Sequence, residues 1–318
     1  MFNTQGQYID NPPKSELEKL TYANNIHKSI QHKVKTFIKP DIKLLDIVEF
    51  IEHNIETELP NQVNKGKAFP VGVSVNNCAA HFTCHEKCEK ILKKDDLISI
   101  DYGVHYDGNI IDSAFTFSLD NKYDELLQVS REATELGIKN LNIDVYIPDW
   151  GKEINEFVSS KEITIDGKVY PLKTITQLTG HNIKPWVIHG GTYLPSFKFN
   201  YPKRVTEDVY AVEIFVTTGN DKIRYDKDDN SHFTMEKYVP TKLSKVNKFQ
   251  KDIQKRFKTL PFCDRWLSDI NSYQSMLNIL VKKNIVKTYP PIYDEENSYV
   301  SQFENTIYLK DNKKIIFG

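Results

Sequence analysis

The first hydrophobic pattern along the chain has a helical period. Between residues 15 and 38, apolar side chains recur every three or four positions, at Leu17, Leu20, Ile26, Ile30, Val34 and Phe37. Because 3.6 residues make one helical turn, these positions lie on one side of a long amphipathic helix. Asp41, directly after Pro40, is expected to cap a second helix that begins there. The chain is therefore predicted to begin with two helices.

The pattern then changes to that of strands. The segments FPVGVSVN, LISIDYGVHY, NIIDSAFTFSL and YAVEIFVTTG alternate or run apolar with β-branched residues, as strands do. Helical patterns return at 122–141 and 149–160. Asp107-Gly108 between two strand-like segments is a strong signal for a two-residue hairpin turn. These features predict an α/β chain with antiparallel hairpins rather than a series of βαβ units.

One segment differs from its surroundings. Residues 234–290 are predicted to be mostly helical, and in KLSKVNKFQKDIQKRF the apolar positions form one stripe with the lysines away from it. Strand character resumes at SYVSQFENTIYLK, which indicates an insertion into the sheet domain. The basic helix at 242–258 is a candidate for contact with ribosomal RNA. A solvated lysine face is the simpler alternative.

The hairpin carries two carboxylates that the pairing brings together. A turn at 107–108 places Asp101 opposite Ala114, and Asp112 then lies on the same face, diagonal to Asp101. Two carboxylates placed in this way repel each other unless a cation lies between them. One solvent-facing and one structural aspartate are the alternative interpretation.

Three further segments supply residues of the same chemistry. TGHNIKPWVIHGG contains His181 and His189, while Glu213 and Glu304 each interrupt an apolar strand pattern. A buried, unpaired carboxylate is costly, so each glutamate needs a cation or a proton. A mainly oxygen set with one imidazole suits two divalent ions bridged by carboxylates.

Several segments together resemble the type II methionine aminopeptidases, in the expected order and at compatible spacing: AFPVGVSVNNCAAHFT, DYGVHYDGNIIDSAFT, GHNIKPWVIHGG, VYAVEIFVTTG, TLPFCDRWL and YPPIYDEENSYVSQFENTI. The resemblance implies the α/β (α+β) pita-bread fold, a central antiparallel sheet flanked by helices around a dinuclear metal site. It also implies a catalytic domain over residues 1–230 and 291–318. Residues 231–290 would form the helical, winged-helix-like insert of type II members.

The resemblance assigns roles to residues of this chain. The implied ligands of two divalent ions (Mn, Fe, Co or Zn) are Asp101, Asp112, His181, Glu213 and Glu304, with Asp112 and Glu304 bridging both ions. Glu213 is also the implied general base. His81 would hydrogen-bond the substrate near the scissile amide and His189 would stabilise the oxyanion, tasks that suit groups titrating near neutrality. The implied methionine pocket is lined by Phe69, Ile188, His232 and Tyr289, for which ordinary core packing is the alternative.

The stretch NNCAAHFTCHEKC raises two other interpretations. Its cysteines and histidines could form a zinc knuckle, but such sites usually draw ligands from two separated pairs. A disulfide is disfavoured because four cysteines without a secretory signal indicate a reducing compartment. The resemblance implies that His81 is the working residue of this stretch, and no role is assigned to Cys84, His85 or Cys88.

The implied reaction is removal of the initiator methionine from nascent proteins that have a small second residue. A catalytically silent pita-bread protein that binds partners or RNA, and a proline-directed peptidase, are the alternatives. The complete ligand set argues against the first, and the insert with TLPFCDRWL argues against the second. The net charge of -1 over 318 residues gives no global attraction to DNA or membranes. Without a signal sequence or an apolar membrane span, a cytoplasmic monomer is expected.

Overall fold

The structure is a computed structural model that describes residues 12–59 and 64–318. The assignment of residues 1–11 and 60–63 to the catalytic domain lies outside the described residues. In the described part of the chain, the α-helices are α1 Glu16–Phe37, α2 Leu44–Glu58, α3 Asp124–Asn140, α4 Ile147–Ser159, α5 Ser244–Phe257 and α6 Tyr273–Lys282. None of these helices combines the length and apolar character needed to cross a bilayer.

Strands make up most of the remaining regular structure. The first ten are β1 Ile42–Lys43, β2 Lys65–Lys67, β3 Gly72–Val75, β4 Cys78–Ala80, β5 Ile91–Leu92, β6 Leu97–Tyr106, β7 Asn109–Ser118, β8 Glu162–Ile165, β9 Lys168–Pro171 and β10 Lys173–Thr174. The others are β11 Thr179–Ile183, β12 Tyr193–Pro195, β13 Asp208–Thr217, β14 Arg224–Tyr225, β15 His232–Thr234, β16 Phe262–Cys263, β17 Lys287–Tyr289, β18 Ile292–Tyr293, β19 Val300–Lys310 and β20 Lys313–Phe317.

The hairpin predicted from Asp107-Gly108 is confirmed. Strands β6 and β7 pair along their full length, and Asp101 faces Ala114 as the turn requires. Asp107 and Gly108 have φ angles of 49° and 78°, the positive values that a two-residue hairpin turn favours because they match the twist of the flanking strands. Strands β2 and β3 extend this sheet on the other side of β6.

A second antiparallel sheet has β13 and β19 at its centre, in the order β12-β11-β13-β19-β20. Side chains join the two sheets: the Thr306 hydroxyl accepts from the backbone N–H of Asp112 at 2.8 Å and donates to its carbonyl at 2.7 Å. The Ser113 hydroxyl donates to the Glu304 carbonyl at 2.7 Å. These bonds fix β7 beside β19, and thus Asp112 near Glu304.

Helices cover the two sheets and bury their apolar faces. Helices α1 and α2 contribute Ile30 and Ile51 to a core that includes Ile100 of β6. Helices α3 and α4 cover the second sheet, where Trp150 packs in a core with Ile214 of β13. Burial of such large apolar side chains, each worth about 1.5–3 kcal/mol, stabilises the layered arrangement.

The predicted cap of the second helix is wrong. Asp41 has a φ of 63°, and its backbone N–H donates to the carbonyl of Leu92 at 2.8 Å. The next two residues form β1, which pairs with β5. The helix therefore begins only at Leu44, because a long-range strand pair holds the residues before it in an extended conformation.

The segment around 234–290 contains more strand than its pattern predicts. In addition to α5, α6 and a 3₁₀ turn at Asp264–Leu267, strands β15, β16 and β17 form a three-stranded sheet in the order β16-β15-β17. The segment has an apolar core of its own, formed by residues that include Phe233, Phe249, Phe262 and Leu280. A separate core is consistent with an insert, and the bounds 231–290 stay a prediction.

Candidate metal centre and active site

The residues that carry ligand chemistry lie on five strands that converge on one cavity. Asp101 lies on β6, Asp112 on β7, His181 on β11, Glu213 on β13 and Glu304 on β19. All five line one cavity, so their side chains reach the same space from five different strands.

Short distances within the cavity define the candidate metal centre. The Nε2 atom of His181 is 3.7 Å from Oδ2 of Asp112 and 3.8 Å from Oε1 of Glu213. Ligand atoms of Asp112, His181 and Glu304 lie within 4.8 Å of one another. Glu213 and Glu304 are direct cross-strand partners. This arrangement brings together the five residues that the sequence nominated.

One carboxylate oxygen of the site is buried without a partner. Oδ1 of Asp101 has no hydrogen-bond donor in reach among the described residues. An unsatisfied buried acceptor costs about 1–3 kcal/mol, more if it is charged. A cation in the cavity would satisfy it, so the orphaned oxygen and the oxygen-rich donor set both fit divalent metal ions.

Burial and mutual repulsion strongly raise the pKa values of the acids of this site. Burial raises the pKa of Asp101 to about 7. Burial, and after it the neighbouring Asp101 charge, raises the pKa of Asp112 well above its usual value. The pKa values of Glu213 and Glu304 are raised in the same way, by burial first and by Asp112 second. Four buried carboxylates therefore need protons or cations to coexist.

The histidine of the set is held in the form that can bind a metal. Burial, followed by the nearby His189, lowers the pKa of His181 well below its usual value. The ring is therefore neutral at pH 7 and keeps a lone pair for a cation.

Gln302 belongs to the site but was missed from the sequence. Its Nε2 amide donates to Oε2 of Glu213 and to Oε2 of Glu304, each at 3.4 Å. The residue lies two positions before Glu304 on β19, on the same face of the strand. The period of two could therefore have identified it once Glu304 was recognised.

His81 and His189 line the same cavity as the acids. The ring of His189 is 4.5 Å from that of His181, and the ring of His81 is 5.8 Å from that of Tyr289, between centroids. Burial lowers the pKa of His81 to about 4 and also lowers that of His189. The expectation of a pKa near neutrality is therefore corrected for His81, and the shift of His189 in the same direction also favours its neutral ring, which has one N–H to donate.

Part of the wall of this cavity is apolar and aromatic. Phe69, Ile188, His232 and Tyr289 all contribute to it, as the sequence predicted for a methionine pocket. Burial lowers the pKa of His232 to about 3, so this ring is also neutral. Pro261 completes the wall and was missed, although it lies in the segment TLPFCDRWL.

The cysteine-rich stretch has a structural explanation. All four cysteines are free, and Cys84 is buried. Both ring nitrogens of His85 have carboxylate partners, Asp264 Oδ2 at 2.9 Å from Nδ1 and Asp229 Oδ1 at 2.8 Å from Nε2. Since neither nitrogen is left for a metal, His85 fits an ion-paired link rather than a zinc knuckle.

Sequence comparison places the chain in a family. The family model of metallopeptidase family M24 matches residues 18–231. Methionine aminopeptidase 2-1 of Fusarium vanettenii is 37% identical over 325 residues, which cover 98% of this chain and 73% of that protein. Methionine aminopeptidase 2 of Encephalitozoon intestinalis is 38% identical, with 99% of this chain and 90% of that protein covered.

Solved structures agree in fold. The structure of a thermophilic Arx1 superposes with a TM-score of 0.83 at 18% identity, covering 95% of this chain and 90% of that one. Methionine aminopeptidase from Thermotoga maritima gives a TM-score of 0.66 at 18% identity, with 96% and 98% covered. At this identity they establish the fold alone, the α/β pita-bread fold.

With buried acids, an imidazole and this fold, the class is that of the metal-dependent aminopeptidases. The chain belongs to metallopeptidase family M24, among the type II methionine aminopeptidases.

Proposed function

We propose that this protein removes the initiator methionine from nascent proteins and peptides by hydrolysis, with a preference for a small second residue. The observation that carries the proposal is one cavity lined both by a cluster of acids with an imidazole and by apolar and aromatic side chains. Relatives named methionine aminopeptidase 2 support the substrate. A free α-amine would bind one of the cations that these acids would hold, which explains a restriction to chain termini.

Two divalent cations would be held by Asp101, Asp112, His181, Glu213 and Glu304. When bound, such ions supply Lewis acidity and lower the pKa of water toward neutrality. The metal is Mn, Fe, Co or Zn, because this mainly oxygen set with one imidazole accepts each of them.

Side chains of the protein carry the proton transfers. Glu213 accepts the proton of the attacking water, and its Oε2 atom is oriented by the amide of Gln302 at 3.4 Å. His189 donates its N–H to the carbonyl oxygen as that oxygen becomes anionic. His81 hydrogen-bonds the substrate beside the scissile amide. A well-placed acid or base of this kind contributes about 10²–10⁴-fold in rate.

The apolar wall binds the methionine side chain. Phe69, Ile188, His232 and Tyr289 enclose a slot in which a buried methionine gains about 1.5–3 kcal/mol over an exposed one. Burial lowers the pKa of each of the three histidines near this slot, which favours uncharged rings beside the apolar methionine side chain.

Peptide hydrolysis tests the proposal. Metal-free and manganese-loaded protein is incubated with Met-Ala-Ser and with Ala-Pro-Ser, and products are identified by mass spectrometry. We expect cleavage after methionine by the loaded sample, and a loss of at least about 100-fold in Glu213→Gln. Glu135→Gln, an exposed position on α3, is the matched control. Cleavage of Ala-Pro-Ser alone would indicate a proline-directed peptidase. If no loaded sample cleaved either peptide, the protein would be a catalytically silent binding protein.

A transient contact with the ribosome is the second part of the proposal. Helix α5 turns its apolar side to the core through Val246, Phe249 and Ile253, while Lys245 and Lys248 are exposed. Binding of phosphates by this basic face should weaken as salt rises. Co-sedimentation with ribosomes should therefore fall with salt and fall further in Lys245→Glu/Lys248→Glu. Lys93→Glu/Lys94→Glu, an exposed pair outside α5, should sediment as wild type does. A monomer in the cytoplasm remains a prediction.

A further inference from the structure

A second cavity continues outward from the candidate active site. It shares six wall residues with the inner cavity: His81, Asp101, Ile188, His189, Glu213 and Tyr289. With methionine in the inner slot, the polypeptide beyond the scissile bond leaves through this space. We call the part of its wall formed by Val187, Tyr193, Tyr225, Glu236 and Lys287 the outer vestibule.

Exposed apolar side chains are concentrated in the outer vestibule. Val187, Tyr193 and Tyr225 are 40%, 48% and 50% exposed. Single exposed apolar residues are ordinary on protein surfaces. Here, however, three of the nine large exposed ones among the described residues line a single cavity. Such a grouping marks a binding surface rather than chance exposure.

The charged side chains of the outer vestibule neutralise each other. Lys287 Nζ lies 2.7 Å from Glu236 Oε1, and both side chains are more than 60% exposed. Apart from the six residues shared with the inner cavity, this pair supplies the full charges on the described wall. The surface along the exit path therefore carries exposed aromatic and apolar side chains among uncharged polar ones, and it has no net charge to select acidic or basic residues.

We propose that the outer vestibule is an extended substrate subsite that binds the third and following residues of the polypeptide and prefers aromatic or apolar side chains there. The inference rests on the proposed function and adds a determinant of specificity beyond the first two residues. Tyr193 and Tyr225 come from separate strands, β12 and β14. Contact with such rings makes aromatic residues the favoured occupants. Acidic and basic residues are disfavoured alike, because neither finds an unpaired counter-charge.

Rates on four peptides measure the preference. The substrates are Met-Ala-Phe-Phe, Met-Ala-Ser-Ser, Met-Ala-Asp-Asp and Met-Ala-Lys-Lys amides, with the manganese-loaded enzyme. We expect kcat/KM to be about 5–10-fold higher for the Phe-Phe peptide than for the other three. In Tyr193→Ser and Tyr225→Ser this ratio should fall at least about threefold. Phe199→Ser, an aromatic residue 51% exposed outside the vestibule, should retain the full ratio.

A binding measurement separates this inference from the proposed function. The same sequences are made with the Met-Ala amide replaced by a methyleneamine, which cannot be hydrolysed, and titrated calorimetrically into the wild-type enzyme and the three variants. About 5–10-fold tighter binding of the Phe-Phe ligand, lost in both tyrosine variants, supports the subsite whether or not turnover is seen. Equal affinities for all four ligands overturn it. Failure to hydrolyse any Met-Ala peptide counts instead against the proposed activity.

Discussion

The guanidinium group of Arg265 binds both carboxylate oxygens of Glu52, with each nitrogen 2.7 Å from its oxygen. Glu52 lies on α2, and Arg265 lies in the 3₁₀ turn that follows β16. The Nε atom of Arg265 also donates to the carbonyl of Cys84 at 3.2 Å, and the indole of Trp266 donates to Glu52 at 3.0 Å. This buried pair therefore joins α2, the cysteine-rich stretch and the segment with the separate core.

Removing one partner of that pair should be strongly destabilising. Both side chains are at most 10% exposed, so Glu52→Gln would leave the Arg265 charge buried without its counter-ion. We expect the free energy of unfolding in urea to fall by about 3–5 kcal/mol. Lys43→Gln, which breaks an exposed pair with Glu89, should change it by less than about 1 kcal/mol. A loss below about 1 kcal/mol in Glu52→Gln would contradict the buried-pair interpretation.

His85 should make stability depend on pH above neutrality. Its hydrogen bond to Asp264, together with that to Asp229, raises the pKa of His85 to about 9, above the ordinary value of 6.5. The folded state thus holds the proton more tightly than the unfolded state does. The resulting stabilisation is complete below about pH 6.5 and is lost as the pH rises through 9.

The comparison of wild type with His85→Gln measures this pH-dependent stabilisation. Since the His85 side chain is 38% exposed, solvent screening reduces its contribution to about 1 kcal/mol. The difference in unfolding free energy between the two proteins should therefore shrink by that amount between pH 6 and pH 10. A difference that grows with pH would show that His85 is bound in its neutral form.

Gly103 limits the position of Phe69 in the proposed methionine slot. A Cβ atom at Gly103 would overlap the Phe69 ring and come within 2.8 Å of the Cβ atom of Ala68. Gly103→Ala should therefore displace Phe69, raise KM for methionyl peptides about 10-fold and lower the unfolding free energy by about 1–3 kcal/mol. Adding Phe69→Leu, a smaller side chain, should restore part of both losses. Additive effects of the two substitutions would mean that the residues do not interact.

Metal removal should lower thermal stability through the acidic cluster. Manganese at 100 times its Kd adds about 2.7 kcal/mol to the folded state, which for a chain of 318 residues raises Tm by roughly 4 °C. In Asp112→Asn the rise should be at most half as large. The exposed Asp95→Asn should respond as wild type does. If the metal-dependent rise survived in Asp112→Asn and disappeared in Cys84→Ser, the ligands would have to be sought in the cysteine-rich stretch.

Local pattern was enough to predict part of the site. A two-residue turn fixes the register of β6 and β7, so the sequence alone gave the relative positions of Asp101 and Asp112. No such local constraint links Glu213 and Glu304, which are cross-strand partners although distant in sequence. Their convergence with His181 followed only from the family resemblance.

The predictions that failed have physical causes as well. The expectation that Asp41 caps α2 failed because the partner of its backbone N–H, the carbonyl of Leu92, is remote in the chain. The strands β15, β16 and β17 have three residues or fewer, too few for alternation to appear. The pKa values of His81 and His189 depend on burial, which no sequence pattern measures.

The five strands that supply the ligand-type residues span the chain from Asp101 to Glu304. Contacts of such high sequence separation form slowly, because large loops must close before any pairing energy is gained. A partly folded intermediate that lacks β19 would bring together Asp101, Asp112 and Glu213 without Glu304. Regained high-affinity cation binding during refolding should therefore mark the final topological step, later than the recovery of helical circular dichroism.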